Sequence, residues 1–199
     1  MNGFEKRKER KKETIWRAAL QLFMESGMRK VSVKEIAEHA NVSQVTIYNY
    51  FGSKEDLSIY VLESYMDEQY QAFRELVVSE LPFMQKLEWF FSKKDMAFDS
   101  MNLSFLDTFV SSDPEIAEIL QGYEKKITPL MIQFIKQGQD QGYFNQTLSV
   151  ETLLFYIQLF SSQAMTQLEK MPDGEEKRRV YKELLVVFFD GVRGLNHDK

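Results

Sequence analysis

The chain has 199 residues, of which 44% are hydrophobic and 28% charged, with a formal net charge of −5 at pH 7. This length is enough for one large domain or two modest ones with a buried core, and the composition excludes general disorder. The absence of cysteine excludes disulfides and thiolate chemistry, and no signal peptide or membrane span is indicated, so we expect a cytoplasmic protein.

The charge is unevenly distributed along the chain. Residues 1–54 contain 11 Lys and Arg against 6 Asp and Glu, whereas the remaining residues contain 14 against 24. A basic first quarter on an acidic body indicates that one end of the protein meets a polyanion. A solvated basic tail explains the charge alone equally well.

Apolar residues recur at helical spacing throughout, and strand signals are almost absent, which predicts an all-α fold. The basic run at residues 6–12 is interpreted as a frayed arm. The first amphipathic helix then follows and ends at Gly27, because glycine readily adopts the left-handed conformation of a helix C-terminus.

Two short helices are predicted next. Ser32 and Glu35 form a capping-box pattern, in which each side chain binds the other residue's backbone N–H, so a helix begins here. Asn41 tolerates the backbone conformation of a tight turn, and Ser43 can cap a further helix that runs to about Tyr50.

Longer helices follow these two. Their expected bounds are Ser53 to about Ser79, a start at Pro82, a start at Asp113, about Val150 to Leu168, and an end at about Arg193. Proline is permitted in the first turn of a helix, which explains the starts at Pro82 and at Asp113 with its following proline. Residues 138–145, which include two glycines, are the clearest loop of the second half.

The two short helices, joined by a turn of three or four residues, form a helix-turn-helix. Ile47 points inward on the second helix, and the residues left facing outward are Gln44, Val45, Thr46, Tyr48 and Asn49. This face carries no carboxylate, which phosphates would repel, and it offers the hydrogen-bonding and methyl groups that base edges require. It therefore predicts a helix that inserts into a DNA groove, with a plain helical hairpin as the alternative.

The run from Val33 to Ser43, continuing from Thr46 to Leu57, closely resembles the DNA-binding signature of the tetracycline-repressor (TetR) family. The likeness is specific over residues 11–60. It departs at Asn41, where the family commonly has Gly, and at Ser32, where Thr is common. Asn can adopt the same turn conformation as Gly, and either hydroxyl residue can cap a helix.

This resemblance implies two domains and a function. Residues 1–53 are expected to hold the basic arm and the DNA-binding helix-turn-helix, and residues 54–199 a helical bundle for ligand binding and dimerisation. The implied protein is a ligand-responsive, sequence-specific transcriptional regulator, most simply a repressor. It has double-stranded DNA as its partner and no cofactor.

The resemblance also assigns individual DNA contacts. Phosphate contacts are implied for Thr46, Tyr48 and Lys54, base-edge contacts for Gln44, Val45 and Asn49, and further backbone contacts for Ser32, Lys34 and Ser43. Lys54 has independent support, because it lies in the first turn of a helix, where free N–H groups also favour an anion. Tyr50 and Phe51 are expected in the core instead.

The body is rich in Phe and Met, whose side chains line adaptable apolar cavities well. The resemblance implies a small-molecule pocket there, and the scarcity of fixed charges among the aromatic residues predicts an apolar or aromatic effector. Simple core packing is the alternative for each residue taken singly. The candidate pocket residues are Phe90, Phe98, Phe105, Phe109, Tyr123, Phe134 and Phe155.

The last two helices are apolar on more than one side, which predicts contact both with their own core and with a partner. The resemblance implies a four-helix interface of a homodimer, and a two-fold dimer implies a palindromic operator. A buried core in a monomer is the alternative. The candidate interface residues are Ile157, Ser161, Ala164, Leu168, Val180, Leu184, Val187 and Gly191.

Catalysis is not indicated. Neither His39 nor His197 has an evident nucleophile as a partner, and the acidic residues from Asp113 to Glu118 fit the electrostatics of a helix start, so no metal site is expected. Two alternative functions remain open: a helical adaptor whose basic N-terminus binds protein or membrane, and a constitutive DNA binder without an effector.

Overall fold

The computed structural model describes residues 3–89, 114–172 and 174–192. Every regular element in these ranges is an α-helix, which confirms the all-α prediction. The helices are α1 Gly3–Ser26, α2 Val33–His39, α3 Gln44–Phe51, α4 Lys54–Val78, α5 Pro114–Asp140, α6 Val150–Glu169 and α7 Glu175–Val192. Residues 83–89 are also helical. Among the described helices, none is both long enough and apolar enough to cross a membrane.

The described chain divides into two compact units. The first contains residues 3–75, 88–89 and 114–125, and the second contains residues 76–87, 126–172 and 174–192. The helix-turn-helix therefore shares its unit with most of α4 and the beginning of α5. A functional boundary between residues 53 and 54 stays a prediction.

The first unit is held together by one apolar core to which α1, α2, α3, α4 and α5 all contribute. Its fully buried members include Ile15, Phe23, Ile36, Ile47, Leu57 and Leu62. Burying one such side chain stabilises the fold by roughly 1.5–3 kcal/mol relative to leaving it exposed. Tyr50 and Phe51 pack against this core, as expected from the sequence. The core therefore fixes the orientation of α3.

The prediction of a frayed basic arm is wrong, because α1 begins at Gly3 and includes residues 6–12. Lys, Arg and Glu are good helix formers, and the packed part of α1 lies directly after this run. Arg17 ties that part to α4 through an ion pair of 2.6 Å between its Nη2 and the Glu68 Oε1. A helix anchored in this way continues towards the N-terminus through residues that favour the same conformation.

The predicted loop at residues 138–145 begins later than expected, because α5 continues to Asp140 and Gly138 is helical. A Cβ atom on Gly138 would lie 2.5 Å from the Cδ2 of Phe144 and 2.7 Å from the Cζ of Phe83. Both rings belong to an aromatic cluster of the second unit, in which Phe83 and Phe134 have centroids 4.9 Å apart. Glycine is required here by close packing and not by a turn.

Two glycines of α5 give a matched test of this packing. Gly138→Ala should lower the free energy of unfolding by about 1–3 kcal/mol, because the new methyl overpacks the cluster. Gly122→Ala, where no atom lies within 4 Å of the added methyl, should raise it by roughly 0.5–1 kcal/mol through helix propensity. Urea denaturation at one protein concentration measures both changes. A stabilising effect at Gly138 would disprove the close approach of the rings.

Lys86 is a buried cation of the second unit, with 4% of its surface exposed. Its Nζ donates to the carbonyl oxygen of Val77 at 2.9 Å and to the Oε1 of Gln137 at 3.1 Å. The Nε2 of Gln137 donates to the same carbonyl at 3.0 Å. Val77 lies in the last turn of α4, where carbonyls lack partners within the helix, so Lys86 and Gln137 together cap this helix.

Candidate nucleic-acid interface

The turn between α2 and α3 has the backbone that the sequence predicts. Asn41 has φ +51°, in the left-handed region, where Asn replaces Gly with little strain. The Val42 N–H donates to the carbonyl of Ala37 at 2.9 Å, which closes the turn. Ser43 then caps α3, because its Oγ accepts the backbone N–H of Thr46 at 3.1 Å. These local bonds set the direction in which α3 leaves the turn.

The structure divides α3 into a buried and an exposed side. Ile47 is completely buried in the core of the first unit, whereas Val45 and Tyr48 are 66% and 47% exposed. Gln44 and Asn49 are also exposed, and Thr46 is half-buried. The exposed side consequently presents two amides, a phenol and a branched apolar side chain, with no carboxylate. These groups suit a DNA groove, where each base pair offers donors, acceptors or a methyl.

The hydroxyl groups at the two helix starts are already engaged. The Glu35 N–H donates to the Ser32 Oγ at 3.2 Å and the Ser32 N–H donates to the Glu35 Oε2 at 2.7 Å, which completes the capping box. The Ser32 Oγ also donates to this Oε2 at 2.6 Å. A phosphate contact by the Ser32 side chain would need the proton that Glu35 now accepts. At α3 the Ser43 and Thr46 hydroxyls lie 2.8 Å apart and share a hydrogen bond.

Positive charge gathers near the start of α2. The Ser32 hydroxyl and backbone N–H both donate to the Glu35 carboxylate and hold its pKa below the usual range, with smaller contributions from Lys54 and Lys34. Lys54, the first residue of α4, follows the end of α3 after two residues. Lys34 is exposed, and its Nζ lies 3.9 Å from the Glu38 Oε1. Lys34 and Lys54 are thus two cations near α3 that can contact DNA phosphates.

The candidate pocket residues fall into different surroundings. Phe90, Phe98, Phe105 and Phe109 lie outside the described residues. Tyr123 is buried in the first unit, where its hydroxyl donates to the Asp67 Oδ1 at 2.7 Å and lies 3.1 Å from the carbonyl oxygen of Glu63. Burial and the Asp67 carboxylate raise the pKa of this phenol. Phe134 is buried in the aromatic cluster of the second unit, whereas Phe155 is 66% exposed.

The candidate interface residues on α6 and α7 also differ in exposure. Ile157 and Leu168 are buried within the chain, so they offer little surface to a partner. Val180 and Leu184 are half-buried, and Gly191 lies against Tyr156, whose hydroxyl would be 2.9 Å from an added Cβ. Val187 is 63% exposed. The side chains of Ser161 and Ala164 lie outside the described ones. The other large exposed apolar residues of these helices are Phe155, Leu159 and Val186.

The candidate catalytic residues that the structure describes lie on the surface of the protein. His39 is exposed, and its Nε2 lies 3.1 Å from the Oε1 of Gln21 on α1. Across residues 3–89, 114–172 and 174–192, no three potential metal-ligating side chains form a cluster. His197 and Asp113 lie outside these ranges. The capped turn between α2 and α3 and the exposed, carboxylate-free side of α3 define a DNA-binding protein of the helix-turn-helix class.

Comparison with known proteins specifies the family. Residues 15–61 match the family model described as bacterial regulatory proteins, tetR family. The repressor KstR2 of Mycobacterium tuberculosis is 24% identical over 144 residues, which cover 70% of this chain and 72% of that protein. The fatty acid metabolism regulator protein of Bacillus subtilis is 27% identical over 141 residues, covering 67% of this chain and 73% of the relative.

Solved structures share the fold over most of the chain. KstR2 of M. tuberculosis, described as a ketosteroid transcriptional regulator, has a TM-score of 0.63 at 19% identity, covering 92% of this chain and 95% of that one. FadR of B. subtilis, solved in complex with stearoyl-CoA, has a TM-score of 0.62 at 20% identity, covering 91% and 99%. The chain belongs to the TetR family of transcriptional regulators.

Proposed function

We propose that the protein is a homodimeric repressor that leaves a palindromic DNA site when a large apolar effector binds. The observation that carries this proposal is the exposed side of α3, which presents uncharged hydrogen-bonding groups beside Lys34 and Lys54. An ordinary solvent-facing helix would carry Glu or Lys on such a side. Base readout by α3 and phosphate contacts by the two lysines explain this composition together.

Dimerisation is supported by apolar surface on the last two helices. Phe155 and Leu159 lie one turn apart on α6 and are 66% and 48% exposed, and α7 exposes Val186 and Val187. Side chains of this size on neighbouring helices are more than a monomer needs to leave in water. A second copy of the chain can cover them through a two-fold contact, and a two-fold protein reads a two-fold DNA site.

The effector class is supported by the descriptions of the relatives. FadR of B. subtilis was solved with stearoyl-CoA, and KstR2 is described as a ketosteroid regulator, so large apolar molecules recur among these proteins. The sequence of this chain is also rich in Phe and Met, whose side chains suit an acyl chain or a polycyclic ring system.

The coupling between effector and DNA is proposed to act through α4. This helix begins at Lys54, beside α3, and its residues from Leu76 onwards belong to the second unit. A rigid helix of this length spans about 37 Å, so a displacement at one end moves the other. In the dimer such a movement changes the spacing of the two α3 helices, which must match successive major grooves.

A thermodynamic cycle tests the proposed function. A duplex is first selected from random sequence by the wild-type protein, and affinities for stearoyl-CoA and for a ketosteroid are then measured with and without it. Coupling of about 1–3 kcal/mol should make the effector bind roughly 5–150-fold more weakly to the DNA complex. Equal affinities in both states would favour the constitutive DNA binder. Failure of both molecules to bind would overturn the proposed effector class.

A further inference from the structure

The first three turns of α1 form a basic surface of defined geometry. With 3.6 residues per turn, Lys6 and Arg10 lie above one another on the helix, and Arg7 and Lys11 form the adjacent row. All four residues are exposed. Glu5, Glu9 and Glu13 form a row of their own, which borders the row of Lys6 and Arg10 because Glu9 and Glu13 follow these residues by three positions. The sequence pattern therefore segregates the charges of this segment and leaves a face of four cations, here called the α1 basic face.

Contacts between α1 and α4 determine where this face lies in the first unit. The Lys12 Nζ lies 5.2 Å from the centroid of the Tyr60 ring, and the Arg17 Nη2 lies 2.6 Å from the Glu68 Oε1. Both helices advance between these two contacts, so they run in the same direction. Lys6 precedes Lys12 by six residues, as Lys54 precedes Tyr60. The α1 basic face is therefore level with the start of α4.

A ring contact connects the same place with α3. The Tyr60 ring lies 5.2 Å from the ring of Phe51, the last residue of α3. The end of the first unit that carries Lys54 and the C-terminus of α3 thus also carries the beginning of α1. Cations on α1 and α4 consequently lie at the same end of the first unit as the C-terminus of α3.

Like charges four residues apart repel one another on a helix and destabilise it. Two such rows on the α1 basic face favour a partner that supplies regularly spaced negative charge, and the DNA backbone does so at each phosphate. We propose that Lys6, Arg7, Arg10 and Lys11 contact the phosphates of DNA that flanks the site read by α3. This inference rests on the DNA binding of the proposed function, and it adds a sequence-independent contact outside the helix-turn-helix.

The test removes the four charges without removing helix propensity. The variant carries Lys6→Gln, Arg7→Gln, Arg10→Gln and Lys11→Gln, and a control of equal charge change carries Lys125→Gln, Lys136→Gln, Lys170→Gln and Lys182→Gln, all exposed residues. The full-length proteins are titrated with the selected duplex, once with long flanks and once trimmed to the palindrome. Circular dichroism and sedimentation check that the helices and the oligomeric state are retained.

On the long duplex the variant should bind at least tenfold more weakly than wild type, with unchanged base preference. If all four cations of each protomer contact phosphates, the slope of log affinity against log salt should fall in magnitude by about 7.2 for a dimer. The control should bind like wild type, and trimming the flanks should abolish the difference between variant and wild type. Equal binding of the long duplex would overturn the inference, while wild-type binding would still support DNA recognition. A wild-type protein that selects no DNA would instead overturn the proposed function.

Discussion

A protein carrying Leu159→Glu together with Val187→Glu is expected to sediment as a monomer and to bind its palindromic site about a hundredfold more weakly or worse. Both side chains are exposed apolar groups of the last two helices, at 48% and 63% exposure. A carboxylate at each position would have to be desolvated in the dimer, and its two-fold copy would double the cost. A monomer contacts only one half-site, so it loses the avidity of the dimer, which typically strengthens binding by about 10²–10⁴-fold.

The matched control places the same charges elsewhere in the second unit. Val78→Glu with Leu81→Glu alters two residues that are also exposed and apolar but lie outside α6 and α7. This control should remain dimeric and should bind DNA with wild-type affinity. A dimeric Leu159→Glu, Val187→Glu protein, or a wild-type monomer at concentrations where it binds its site tightly, would contradict the proposed interface.

Substitutions on α3 and at the start of α4 should have different effects on DNA recognition. Gln44→Ala removes an exposed amide, so we expect relaxed preference at individual base positions, with a loss of about 1–3 kcal/mol for each base contact. Lys54→Ala should weaken binding to every sequence, and the salt slope should fall by about 1.8 if each protomer loses one phosphate. Repeating the random-sequence selection and the salt titration with each variant separates these two outcomes.

The control for Lys54→Ala is Lys136→Ala, an exposed lysine of α5 whose loss should leave the salt slope unchanged. Asn49→Ala should behave like Gln44→Ala, and Tyr48→Ala like Lys54→Ala. A Gln44→Ala protein with wild-type base preference at every position would show that this amide is not read. That result would leave Val45 and Asn49 as the remaining candidates on α3.

The helix-turn-helix was the part of the molecule most open to prediction, because its signals are local. Ser32 and Ser43 each accept a backbone N–H three residues ahead, and the fit of these residues to a helix start depends only on nearby chain. Asn41 and Gly27 have the positive φ that their residue types favour. The fold class followed from the same spacing argument, since helical periodicity needs no knowledge of tertiary contacts.

Apart from the basic arm at residues 6–12, the predictions that differed from the structure concerned packing between distant residues. Gly138 resembles a loop residue in sequence, and only the rings of Phe83 and Phe144 explain why it is helical. Periodicity also showed two apolar stripes on the last helices without showing which one faces the chain's own core. Burial assigns Ile157 and Leu168 to that core and leaves Val187 outside. The sequence predicted the capping box, but it could not show that the Ser32 hydroxyl donates its proton to Glu35, because this hydrogen bond depends on side-chain geometry.

At the cap of α4, the stability cost of substituting Lys86 and Gln137 depends on which of the two residues is replaced first. The Val77 carbonyl accepts from both Lys86 and Gln137, so it keeps a donor when either side chain is lost. Loss of Gln137 first would leave the buried Lys86 ammonium with Val77 as its one remaining acceptor among the described residues, whereas loss of Lys86 first leaves only a neutral amide. An inadequately paired buried charge is far more costly than an unpaired amide. Replacing Lys86 before Gln137 is therefore expected to cost less stability than replacing Gln137 first.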